Sequence, residues 1–232
     1  MEKIDKLSYM MYNKVINKDI TEEKGELEMK KKILKMIFII ILIIVIIFLI
    51  NLFRKAIIIN EYTKRLDEYQ KQTNFYAKFQ TDKDIQEMWR KDNIGITKYT
   101  SENDIRTIYA TSNETWMIFN SKKIAQKFEN QNARAFLPII EGATLYTDNF
   151  GQALQIALKS QITSENINGQ DCYKIYIDED FQVFINKENY LKIKEINSGS
   201  TRELIEYSFG TVKDDDVKMP NLDEYEIEEI KE

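Results

Sequence analysis

The chain predicts an α+β protein: a single transmembrane helix, then a curved antiparallel sheet, an unclosed-barrel-like meander, with one or two helices packed on it. Three observations predict this. The eighteen residues Met36–Phe53 contain one polar side chain, Asn51. From Asn74 onward the hydrophobic period becomes two, in short segments separated by turn residues. Within that alternation, Phe150 to about Lys159 reverts to helical spacing.

The apolar run comes first. As a helix it measures about 27 Å at 1.5 Å per residue, against a hydrocarbon core of roughly 30 Å. A run apolar on every side suits lipid better than the single buried stripe of a soluble domain. The expected organisation is a cytoplasmic segment over 1–32, a transmembrane helix over 33–53 and a juxtamembrane helix over 54–72. An extracytoplasmic β-rich domain over 73–217 and an acidic tail over 218–232 follow. Four lysines (Lys30, Lys31, Lys32 and Lys35) precede the run with no acid among them, whereas Arg54 and Lys55 follow it. The positive-inside rule places the N-terminus in the cytoplasm. Met29 onward also has the charge and apolarity of a signal peptide. However, the run exceeds a usual h-region, and Asn51–Ile57 offers no small-x-small cleavage site. No Cys lies just after it for a lipid anchor, so an uncleaved membrane anchor is expected.

The remaining elements follow in order. Ile4, Leu7, Met11 and Val15 fall on one face of a short amphipathic helix, which would rest on the membrane or dock a cytoplasmic partner. Ile58, Tyr62, Leu66 and Tyr69 form a stripe on the juxtamembrane helix, with Glu61, Lys64, Arg65, Asp67 and Glu68 covering the rest. Strands are expected at Phe75–Phe79, then across Ile85–Tyr99 with a break near Asp92-Asn93 and Gly95. Further strands fall at Ile105–Tyr109, Thr115–Phe119 and Lys122–Phe128. Ala133 to Tyr146, with Pro138, shows no period. Asp148 or Asn149 can cap the helix that follows, whose apolar face is Phe150, Leu154 and Ala157. Asn168-Gly169 joins Ile162–Asn166 to Cys172–Ile177 in the chain's strongest hairpin signal. Phe181–Ile185 alternates after the Asp178-Glu179-Asp180 corner. Leu191–Ile196 and Glu203–Phe209 complete the meander across Ser198-Gly199-Ser200.

Composition removes several functions. Net charge is −5, so no basic footprint for nucleic acid exists. Between Asp214 and Glu232 nine acids face Lys218 and Lys231, net −7, which leaves +2 for everything before. Asp214-Asp215-Asp216 lacks the spacing of a calcium loop and reads as part of a solvated tail. The single Cys172 excludes a disulfide framework and a cysteine zinc cluster. With no His in the chain, the commonest general base and metal ligand is missing. No phosphate loop or dinucleotide glycine pattern occurs. Asp82, Asp84, Glu102 and Asp104 fall in turns. Trp89, Trp116, Tyr99 and Tyr109 could stack a sugar or base, though cross-strand pairing is the commoner use. No catalytic, cofactor-binding or metal-ligating residue is nominated.

Two stretches carry a family resemblance. Asn168-Gly-Gln-Asp-Cys-Tyr-Lys-Ile175 and Phe184-Ile-Asn-Lys-Glu-Asn-Tyr-Leu-Lys-Ile-Lys194 resemble the strand and hairpin of bacterial lipoprotein-carrier domains of the Lol type and related sensor domains. The likeness spans about Arg54 to Val217. Where that hairpin usually has Pro, this chain has Lys192. The resemblance implies an unclosed barrel whose inner face, plugged by helices, holds acyl chains, and it assigns no individual contact residue. A membrane span points away from a soluble shuttle.

The expected protein is therefore a non-catalytic, single-pass membrane protein whose outer domain binds a lipid, lipoprotein or protein partner in the bacterial cell envelope. One alternative is a transmembrane signalling regulator, anti-sigma-like, whose N-terminal helix holds a cytoplasmic partner. Another is a cell-envelope hydrolase working with paired carboxylates.

Overall fold

The structure, a computed structural model, describes residues 2–128, 137–140, 145–178 and 180–230, with side chains from residue 29 onward. Most of the aperiodic stretch Ala133–Tyr146, and Glu179 in its corner, lie outside the described residues, as do the side chains of the Ile4–Val15 stripe. The chain divides into two units, Met1–Leu52 and Phe53–Glu232.

The first unit is helix throughout its described residues, within α1 (Glu2–Gln70). It is long and apolar enough to cross a membrane: its most apolar eighteen residues have a mean hydropathy of 3.6, and none is buried.

In the second unit α1 continues to Gln70, and its inward stripe changes the helix's role. Ala56, Ile59, Tyr62 and Leu66 are wholly buried, with Ile58 and Thr63 nearly so. Glu61–Lys64 and Arg65–Glu68 ion pairs dress the opposite face. Burying side chains of this size contributes about 1.5–3 kcal/mol each, so this part of α1 belongs to the domain's core.

Among the described residues, twelve strands form one open sheet. They are β1 (Asn74–Thr81), β2 (Ile85–Lys91), β3 (Ile94–Thr100), β4 (Ile105–Ala110), β5 (Thr115–Phe119) and β6 (Ile124–Phe128), then β7 (Gln161–Ile167), β8 (Gln170–Asp178), β9 (Phe181–Asn186), β10 (Lys192–Asn197), β11 (Ser200–Phe209) and β12 (Glu226–Ile230). Their order across the sheet is β12-β6-β5-β4-β3-β2-β1-β11-β10-β9-β8-β7. Two antiparallel meanders are thus joined where β1 pairs β11, Phe75 opposite Phe209. Tight turns set the register. Asn168 and Gly169 both have positive φ (51° and 82°), as a two-residue hairpin requires. The core runs across the joint, from Phe75, Ala77, Phe79 and Met88 to Phe184, Leu191, Ile193 and Leu204, with Ile140 added from outside the sheet. The α2 helix (Phe150–Lys159) starts at Asn149, whose side chain accepts the Gln152 amide at 3.1 Å.

Three sequence expectations need correction. Gly95 does not break the strand: only Asp92-Asn93 turns, and Gly95 lies inside β3 opposite Ala110 and Arg90. Glycine is needed there because Pro138 packs on it; a Cβ would lie 2.3 Å from Pro138 Cδ. Of the expected α2 face Phe150, Leu154 and Ala157, only Ala157 is buried; it shares the inward face with Ala153, while Leu154 is half-buried and Phe150 lies at the surface.

The third correction concerns the acidic tail, which is not free in solvent. Glu226–Ile230 is β12, paired parallel to β6. β11 and β12 run the same way, so the chain must cross the sheet between them. It does so on the face away from α1: Asn74 holds Val212 through two hydrogen bonds, Lys91 meets Asp214 at 2.6 Å, and Val217 is buried. Tyr225 reaches Asn120 at 3.2 Å, and Lys123 lies 4.8 Å over the Tyr225 ring. The charge alternation of Glu-Ile-Glu-Glu-Ile suits an edge strand, where polar side chains face water.

Candidate functional site

A binding surface in this fold has to be sought around the face that α1 covers, because the sheet's other face carries the C-terminal crossing. The part of α1 in the second unit is fastened there at both ends. At Gln70's end, the Tyr69 ring stacks on Phe209 (5.7 Å) and its hydroxyl donates to the Asn189 carbonyl at 2.8 Å. The receiving turn is itself tightly bonded. The Asn186 side-chain oxygen accepts the amides of Glu188 and Asn189, Asn189 accepts that of Leu191, and Asn189 Nδ2 donates to the Tyr207 hydroxyl at 2.9 Å. In the middle, the Thr63 hydroxyl lies 3.0 Å from that of Thr147 and 3.2 Å from the Leu145 carbonyl. Where this part begins, Phe53 stacks on Phe150 with ring centroids 6.3 Å apart, and Lys55 Nζ donates to the Ser160 carbonyl at 2.7 Å. The helix therefore plugs the sheet face with its own apolar side chains. Residues 137–140 close the next part, where Arg90 donates to the Pro138 carbonyl at 3.2 Å and Ile140 is wholly buried.

Residues singled out from the sequence separate in space. Asp82 accepts the Thr201 amide at 2.7 Å and joins two turns. Asp84 closes its turn onto Thr81, and Asp104 accepts from Ser121, which holds its carboxyl below the usual range. These carboxylates tie turns together. Among the described residues, no three of Cys, Asp or Glu converge as metal ligands. Trp89, Tyr109 and Trp116 share one sheet face: Trp89 pairs Tyr76 (5.3 Å) and Ile96, and Trp116 sits opposite Tyr109 under Lys127. Tyr99 lies on the other face beneath Arg106, 4.6 Å from its centroid. The four aromatics thus form no single stacking platform. Cys172 is wholly buried, and burial pushes its thiol pKa up, away from the reactive thiolate. Lys192, at the position where the resembled hairpin has Pro, is buried and pairs with Glu195 at 2.6 Å.

One feature escaped sequence reading. Phe53 and Phe150, whose rings stack, are exposed apolar side chains, as are Ile57 and Leu158 on the same two helices. Phe150 was visible in the sequence, but only as part of the helix's apolar face, and Leu158 was not singled out.

No protein-family model and no curated protein matches the chain. Among solved structures, an uncharacterized conserved protein from Thermus thermophilus is similar with a TM-score of 0.47 and 8% identity, over 74% of this chain and 98% of its own. A LolA superfamily protein from Nitrosomonas europaea is similar with a TM-score of 0.29 and 11% identity, over 69% of this chain and 97% of its own.

Proposed function

We propose that the chain is a single-pass membrane protein, N-terminus cytoplasmic, presenting a non-catalytic extracytoplasmic domain that binds a lipid, lipoprotein or protein partner of the bacterial envelope. The observation that carries the anchor is the exposure of every large side chain from Met36 to Ile50. Each is worth about 1.5–3 kcal/mol when removed from water, and lipid is the solvent that removes all of them at once. A binding role is supported by a domain whose conspicuous carboxylates are engaged in turns and which carries exposed apolar side chains on α1 and α2. Reporter fusions test the topology: alkaline phosphatase after Glu232 should be active and a cytoplasmic fluorescent reporter at Met1 should fluoresce. The reverse pattern, or a soluble product, overturns the reading. Native mass spectrometry of the full chain, released from membranes in mild detergent, tests the partner class by the mass it retains.

A second reading, the signalling regulator, is favoured by one observation: backbone helix from Glu2 onward. Deleting residues 1–28 would then abolish capture of a cytoplasmic partner while leaving membrane insertion intact.

A further inference from the structure

We propose that α2 is an interfacial helix that lies in the headgroup region of the bilayer its own chain crosses, with the flank Phe150–Leu154–Leu158 turned into the lipid. The inference rests on the anchor reading above.

Both ends of α2 meet the same turn of α1. Its first residue, Phe150, stacks on Phe53, and the residue after its last, Ser160, takes the Lys55 ammonium. A ten-residue helix is about 15 Å long, and both of its ends are tied to this one turn. That turn also ends the apolar run, since Phe53 is that run's last residue. Chain continuity from Leu52 to Phe53 therefore keeps α2 next to the point where the chain leaves the lipid.

The distribution of side chains on α2 suits that position. Ala153 and Ala157 face the protein, and Gln155 and Lys159 occupy the exposed side opposite them. Between these faces, Phe150, Leu154 and Leu158 are spaced by four and form one apolar flank. Phe150 is 36% exposed and Leu158 59%. Phe53 (47%) and Ile57 (52%) on α1 extend the same surface. Exposed apolar side chains of this size are stabilised when lipid takes the place of water. Arg54 and Lys159, both exposed, stand at its border as interfacial cations do.

The test uses the full chain in phosphatidylcholine proteoliposomes, with Cys172→Ala and one environment-sensitive dye on a new cysteine. Leu158→Cys probes the flank and Ile44→Cys the span. Asn113→Cys serves as the water reference, because the β4–β5 turn lies at the same sheet end as Asn74, near the far end of α1. At Leu158 the dye should show blue-shifted emission, quenching by lipid carrying a doxyl group near its headgroup, and protection from iodide relative to Asn113. If the Leu158 dye behaves like the Asn113 dye while the Ile44 dye is lipid-quenched, the interfacial helix is overturned and the anchor stands. If Ile44 escapes lipid quenching too, the anchor reading fails and takes this inference with it.

Discussion

Replacing Gly95 by alanine probes how residues 137–140 are held on the sheet. The added Cβ would sit 2.3 Å from Pro138 Cδ and 2.8 Å from Cγ, where ordinary contact starts near 3.4 Å. The ring must therefore retreat by about 1 Å, and it cannot rotate away as a flexible side chain would. Its retreat loosens the Arg90 bond to the Pro138 carbonyl and lifts Ile140 from the core. Overpacking of this kind costs about 1–3 kcal/mol. For a domain of this size that is a fall in Tm of roughly 2–12 °C. Thermal unfolding of the full chain in detergent micelles, followed by Trp fluorescence, measures it. Pro138→Ala removes the offending atoms, so the double variant should recover at least about 1 kcal/mol relative to the sum of the singles. Additivity within about 0.5 kcal/mol would refute the close approach.

Three further outcomes follow from the packing and the titrating groups. Leu66→Ala should destabilise the domain by about 2–5 kcal/mol in chemical denaturation, because Leu66 is wholly buried; a loss under about 1 kcal/mol would mean that this part of α1 is not core. Tyr76 is held neutral by burial, with Glu87 and Glu206 adding to it, and its pKa rises from 10.0 to about 12. The unfolded phenol loses its proton first, so this contribution is intact below pH 10.0 and is lost as pH climbs towards about 12; a phenolate absorbance titration against Tyr76→Phe reads the missing late step. Cys172 should resist maleimide in the native protein and react on denaturation, and full labelling of the folded chain would contradict its burial.

Local chemistry made much of this fold legible. Strand alternation, the Asn168-Gly169 turn and the Asn149 cap are properties of a few neighbouring residues, so the α+β class and an open, largely antiparallel sheet could be read from the sequence alone. The apolar run was equally plain, because lipid compatibility depends on composition and length. The sequence nominated no site residue, and what it missed is non-local. Glu226–Ile230 has the local pattern of a solvated segment and becomes β12 only because β6 offers an unpaired edge after the chain has crossed the sheet. Gly95 looked like a strand breaker, yet its lack of a side chain answers a proline forty-three positions away. On α2 the sequence showed an amphipathic helix, but which of its apolar residues face inward depends on how the helix is rotated against the rest of its domain. Ala153 and Ala157 are buried, and Phe150 and Leu158 are left to the surface. Periodicity settles which residues share a face; only tertiary packing settles which face is buried.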